Sequence, residues 1–159
     1  MLPLAQAAGR SPAFFTRSFH GREGDSMVGP RTAIASSENP VGLFDMHIAH
    51  VGINAETEEE AERVVGQFQT LMGLSRNVVA PISLFAGSLV EVMRPGSGRG
   101  TKGHIGFHVN DIDAAERWFA ARGFEVNEDA RALNPDGSTY LVYFRDEIAG
   151  FAIHLTIAE

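Results

Sequence analysis

Hydrophobic and polar positions fall into two similar series along this chain. From Met46 the pattern has period two: Ile48, His50 and Gly52 share one strand face, and Ala49, Val51 and Ile53 share the other. Thr57-x-x-Glu60 then forms a capping box, and Ala61, Val64, Val65, Phe68, Leu71 and Met72 recur at helical spacing up to Gly73, a natural left-handed stop. Three short strands are predicted next, at Asn77–Ala80, Ile82–Ala86 and Ser88–Met93, broken by Pro81 and Gly87. After the loop that begins at Arg94 the plan repeats. Lys102 to Val109 reads as a strand, Asp111 caps a helix carrying Ala115, Trp118 and Phe119, and Gly123 ends it. Strands follow at Phe124–Val126, Ser138–Arg145 and Gly150–Ile157, with a turn at Asn134-Pro-Asp-Gly.

The two series are copies. His50-Val-Gly-Ile superposes on His104-Ile-Gly-Phe at an offset of 54 residues, and the same offset places Ala61-Glu-Arg on Ala115-Glu-Arg. The fold class is therefore α+β, with two βαβββ modules at about 46–95 and 101–159 inside one domain, 46–159. Residues 1–45 show no sustained period, are rich in Gly, Pro, Ser, Ala and Arg, and read as a disordered extension. Met27 and Met46 are alternative starts, so an over-long start is the first reading of this segment. Arg10, Arg17 and Arg22 precede the first acidic residue, Glu23, so a targeting segment over residues 1–22 is the second.

Charge and composition narrow the partners. A net charge of -7, almost all of it after residue 45, argues against nucleic acid and anionic membranes. There is no cysteine, hence no disulfide and no thiolate ligand or nucleophile. No apolar run approaches the roughly 18 residues of a membrane span. The expected compartment is the cytoplasm, or an organelle if the N-terminal segment is a transit sequence.

Period-two geometry also sorts the polar residues. Val90, Val92, Ile153 and Leu155 fall on the helix side of their strands, which leaves Glu91 and His154 on the other side together with His50 and His104. Each residue stands on the first or last strand of a module. Three imidazoles and a carboxylate suit a divalent transition metal: Zn, Ni, Fe, Co or Mn. His47 falls on the opposite face by alternation. His108 stands further along its strand as a candidate lining residue, and Arg76 is the candidate contact for a substrate anion. Asn54, Ser83, Tyr140 and Tyr143 are further lining candidates.

The repeated module order and the two histidine strands resemble the vicinal oxygen chelate superfamily, over about residues 46–158. That superfamily includes glyoxalase I, methylmalonyl-CoA epimerase, extradiol dioxygenases, and fosfomycin- and bleomycin-resistance proteins. The resemblance implies a cup-shaped mixed sheet around a metal held by His50, Glu91, His104 and His154. Within it, Ile48-Ala-His-Val-Gly-Ile-Asn, Phe85-Ala-Gly, Glu91-Val-Met, Gly103-His-Ile-Gly and Asp146-Glu-Ile-Ala-Gly-Phe-Ala-Ile-His-Leu are similar to the glyoxalase-like domain attached to some bifunctional 4-hydroxy-2-oxoglutarate/2-dehydro-3-deoxyphosphogluconate aldolases. The chain has one lysine, Lys102, and lacks the length of a (β/α)₈ barrel, so Schiff-base aldolase chemistry is not expected of it. It also departs from the superfamily pattern. Most catalytic members end the second module with Glu, whereas this chain has His154 and keeps its carboxylate, Glu91, in the first module.

The expected function is metal-dependent isomerase- or lyase-type enediolate chemistry on an oxo- or hydroxy-acid with adjacent oxygens, with Glu91 as the catalytic base. The rival is a non-catalytic module that binds such an acid for a partner aldolase. Drug sequestration ranks lower because the metal set is retained, and ring-cleaving dioxygenase activity ranks lower because a fourth protein ligand crowds the iron. A homodimer is expected, since open sheet edges favour pairing.

Overall fold

The computed structural model describes residues 39–158. The segment 1–38, and with it most of the extension read as disordered, lies outside the described residues. The elements are α1 (Pro40–Phe44), β1 (His47–Asn54), α2 (Glu58–Met72), β2 (Arg76–Asn77), β3 (Ser83–Ala86), β4 (Val90–Met93), β5 (Gly103–His108), α3 (Ile112–Ala120), β6 (Ala132–Leu133), β7 (Thr139–Tyr143) and β8 (Phe151–Thr156). The eight strands form one mixed sheet in the order β2-β3-β4-β1-β5-β8-β7-β6. Each module closes on itself by a parallel pair, β1 with β4 and β5 with β8, and the modules join through the antiparallel pair β1 and β5. This is the α+β double-module architecture expected from the sequence.

The helices form where the caps dictate. Thr57 Oγ1 accepts from the Glu60 amide at 3.1 Å, and Glu60 Oε2 accepts from the Glu56 amide at 2.9 Å, so the start of α2 is held from both sides. Gly73 ends it at φ 67°. Asp111 Oδ1 caps α3 through the Ala114 amide at 2.9 Å. α2 buries Ala61 and Val65 against Leu84, Ala86, Val90 and Val92; α3 buries Ile112, Ala115 and Phe119 against Val142, Phe144, Ile153 and Leu155. Both cores lie on the helix side of the sheet and leave the other side free for a site.

Four expectations are corrected. Pro40–Phe44, within the stretch read as unstructured, is a short helix: Asn39 caps it, Pro40 opens it, and Phe44 is buried in the second module's core, edge-on to Trp118 at 6.2 Å. The apolar stripe of α2 stops early: Leu71 and Met72 are 78% and 44% exposed. The second module's second strand is Ala132–Leu133. Phe124–Val126 makes only a single bridge, Val126 to Phe144, and its Phe124 ring meets Phe119 edge-on at 6.1 Å and Phe144 at 5.9 Å. Finally, β1 carries an irregularity at Ala49, between the pairs Ile48–Phe107 and His50–Gly106. The extra residue reverses the alternation, so Ile48 joins the face of Phe107, and His47, opposite His108, joins the face of His50.

Candidate metal centre

The repeat strands place their histidines across the module seam. In the β1–β5 pairing, His50 stands opposite Gly106 and Gly52 stands opposite His104. Both glycines belong to the repeated His-x-Gly, and their role is spatial. A Cβ on Gly52 would sit 2.0–2.4 Å from atoms of the His104 ring. On Gly106 it would sit 2.6 Å from His154 Nε2 and 2.8 Å from His50 Cε1. Each module thus supplies one imidazole and the bare backbone on which the other module's imidazole lies. The outer strands complete the group: Glu91 on β4 pairs with Gly52, and His154 on β8 pairs with Gly106.

The three rings converge through Nε2. His50 Nε2 is 3.2 Å from His104 Nε2 and 3.3 Å from His154 Nε2. Ligand atoms of the three histidines all lie within 4.8 Å of one another. Glu91 Oε2 lies 2.9 Å from His104 Nε2 and 3.5 Å from His50 Nε2, beside the triad on its first-module flank. One shared proton can satisfy one facing pair of imidazole nitrogens, but three nitrogens and a carboxylate oxygen meeting at one place make a donor set suited to a cation. The Nδ1 atoms of His104 and His154 are buried without a hydrogen-bond partner among the described residues, so Nε2 is the atom each ring commits to the group. This donor set fits a divalent transition metal. Of the four residues read from the sequence as ligands, the structure brings three together as a triad and sets Glu91 against two of them.

Burial sets the electrostatics. His154 is fully buried, and desolvation, followed by the His50 and His104 rings, pushes it down to about 3. His50 is lowered by desolvation and by His104, against the opposing pull of Glu91. Burial alone would raise Glu91, but its contact with His104 and the charge of the two nearby imidazoles outweigh that and hold it below its ordinary range. At neutral pH the site therefore presents neutral lone pairs on His50 and His154 beside a carboxylate, the protonation state a cation requires.

The sheet forms an open cavity of about 410 Å³ around this group, lined from one flank by Ser83 and Phe85 and from the other by Leu141 and Tyr143. Tyr143 packs 4.8 Å from the His154 ring and 6.3 Å from the His104 ring, measured between centroids. Burial and the Glu91 charge push its phenol up to about 12, so it stays protonated.

No family model matches the chain, and no curated protein matches it. Solved structures do. A methylmalonyl-CoA epimerase from Mycobacterium tuberculosis is 16% identical with a TM-score of 0.48, over 70% of this chain and 87% of that one. A Streptomyces coelicolor methylmalonyl-CoA epimerase in complex with 2-nitronate-propionyl-CoA is 17% identical with a TM-score of 0.47, over 70% and 94%. A hypothetical protein from Bacillus halodurans is 13% identical with a TM-score of 0.46, over 70% and 93%. No helix among the described residues is long and apolar enough to cross a membrane.

Two sequence-predicted substrate contacts fall elsewhere. Arg76 pairs with Ala86 on the helix side of β3, and its guanidinium bonds Glu62 on α2 at 2.6 Å, so it points away from the cup. His108 does lie on the cup face but outside the cavity lining. Its ring stacks on His47 at 4.7 Å, and its Nδ1 donates to the Ala158 carbonyl at 3.2 Å. Tyr140, Tyr143 and Ser83 do line the cavity, whereas Asn54 holds the inter-module loop through the Gly100 carbonyl at 2.8 Å. The residue that reading overlooked is Arg99, which lines the cavity and lies over the Tyr143 ring at 4.8 Å. Its signal was the run of glycines around it in the loop from Arg94.

Proposed function

We propose that this protein is a divalent-metal-dependent, glyoxalase-like enzyme that moves a proton between adjacent carbons of an oxo- or hydroxy-acid with neighbouring oxygens. The reading rests on one observation: three imidazole Nε2 atoms from both modules meet beside a single carboxylate in the lining of an open cup. His50, His104 and His154 would hold the ion, with Glu91 at its flank. Such an ion, when bound, supplies Lewis-acid polarisation of two neighbouring substrate oxygens. Glu91 is ionised at neutral pH and is the only carboxylate lining the cavity among the described residues. It accepts the proton from the carbon beside the carbonyl and returns it to the neighbouring carbon. Tyr143, protonated and facing the same cavity, donates a hydrogen bond to a developing oxyanion.

A second reading follows from how Glu91 is engaged. Its Oε2 already contacts His104 at 2.9 Å, and a carboxylate held in this way is a weak base. On that reading the cup binds the acid without turning it over, as a companion of an aldolase of the type that the sequence resemblance suggests. Exchange of substrate carbon-bound hydrogen in D₂O, followed by NMR over 2-oxo and 2-hydroxy acids, separates the two. The enzyme reading expects metal-dependent exchange that falls by about 100-fold in Glu91→Gln. Protein carrying one ion per chain that binds an acid yet exchanges nothing supports the companion.

A further inference from the structure

The cup contains a cation that the proton transfer does not use. Arg63, Arg76, Arg94, Arg131 and Arg145 each pair with a carboxylate. Arg99 forms no such pair among the described residues, although it lines the cavity that holds the histidine cluster. It also lines a second cavity of about 290 Å³, which shares Tyr143 with the first, so its side chain stands at the boundary between the two.

The fold holds Arg99 there by design of the inter-module loop. Asn54, at the end of β1, donates through Nδ2 to the Gly100 carbonyl at 2.8 Å and to the Arg99 carbonyl at 3.4 Å. The flanking glycines let the loop lie flat on the sheet. A Cβ at Gly98 would meet Asn54 Oδ1 at 1.9 Å, and one at Gly100, where φ is 76°, would meet the Gly103 carbonyl at 2.0 Å. The backbone is thus pressed onto β1 and β8 while the side chain reaches over the cup. The Tyr143 ring supports the guanidinium from beneath at 4.8 Å, and that same ring is 4.8 Å from His154. A guanidinium held over an aromatic ring still has N–H groups to offer a planar anion. The Arg99 guanidinium and the His154 imidazole thus meet the same tyrosine ring and line the same cavity.

We propose that Arg99 is the specificity-determining residue of the cup and receives a second carboxylate, so that the substrate is a dicarboxylic oxo- or hydroxy-acid. This deepens the proposed function and rests on its placement of the reacting oxygens at the histidine cluster. The acid's reactive end lies over His50, His104 and His154, and its far carboxylate forms a paired hydrogen bond with the Arg99 fork. Arg99 touches no reacting atom in this arrangement.

The test compares two probes of equal length, 2-oxoglutarate and 2-oxopentanoate, which differ only in a terminal carboxylate or methyl. Binding is measured by calorimetry on Zn²⁺-loaded wild type, Arg99→Gln, Arg99→Lys and His50→Ala. The wild type should prefer 2-oxoglutarate by about tenfold or more, Arg99→Gln should bring the ratio close to one, and Arg99→Lys should fall between. A wild-type ratio near one, a ratio unchanged in Arg99→Gln, or no binding of either acid to protein carrying its ion overturns the assignment. The metal reading fails separately: His50→Ala would then take up Zn²⁺ like the wild type, or bind both acids as the wild type does while the Arg99 ratio persists.

Discussion

The two modules begin alike and end differently. Each opens with a histidine and, two residues on, a glycine that accommodates the partner module's ring. The first closes with Glu91, which retains a little exposure at the cavity wall, and the second closes with His154, which is fully buried. At matching positions one half therefore presents an ionised carboxylate that can exchange protons with a ligand. The other presents an imidazole whose protonation is suppressed and which can serve only as a fixed lone pair. On the proposed function, this difference gives proton handling to the first module and anchoring to the second.

The shared opening is the easiest part to break. Alanine at Gly52 or Gly106 puts a methyl into a neighbouring imidazole, so we expect loss of metal uptake and a lowered melting temperature in both variants. A strand glycine would ordinarily gain from such a change. Metal analysis and thermal unfolding of Gly52→Ala decide the point, and normal uptake would show that the glycines do not make room for the rings.

Unequal closures predict unequal losses. His154→Ala removes a buried nitrogen and should cost metal affinity beyond the roughly 100-fold upper range for a supporting residue. Glu91→Gln keeps an oxygen at the flank and should cost about 10–100-fold. Competitive chelator titration ranks them, and the reverse order would contradict the assignment of roles.

The same asymmetry has a pH signature in the metal-free protein. The folded His154 sits at about 3, below its ordinary 6.5, so the unfolded chain takes up the proton first. Stability is full above about pH 6.5 and falls as the pH drops from there toward 3. Glu91, also lowered in the fold, adds its own loss only below its ordinary 4.5. Unfolding midpoints followed from pH 8 to pH 4 should therefore decline before the carboxylate range is reached, and His154→Gln should reduce that early decline to the share of His50, which is also lowered in the fold. The smallest effect expected is a control: Gly66→Ala on α2, where an added Cβ meets nothing within 4 Å, should stabilise by about 0.5–1 kcal/mol.

Much of this is legible in the sequence, for a specific reason. The 54-residue repeat pairs His50 with His104, and strict alternation carries Glu91 and His154 to the same face. α2 and α3 were marked by Thr57 and Asp111, caps that act locally. What escaped depends on geometry that patterning does not carry. One extra residue at Ala49 reverses the side of His47, and alternation has no sign for it. α1 is five residues, too short for a period, although Asn39-Pro40 is a legible start. Arg76 lies in the two-residue strand β2, and Arg99 in the loop between β4 and β5. Only the pairing of β2 with β3 sends one to the helix side, and only the fit of Gly98 and Gly100 against the sheet brings the other over the cup.

The most direct test of the account is elemental analysis of the purified protein after exposure to Zn, Ni, Fe, Co and Mn, for the wild type and His50→Ala. About one transition-metal ion per chain, absent from the variant, is the predicted result. A wild type that retains none of the five metals, or a His50→Ala protein that retains as much as the wild type, would contradict the claim that the seam between the modules is a metal centre.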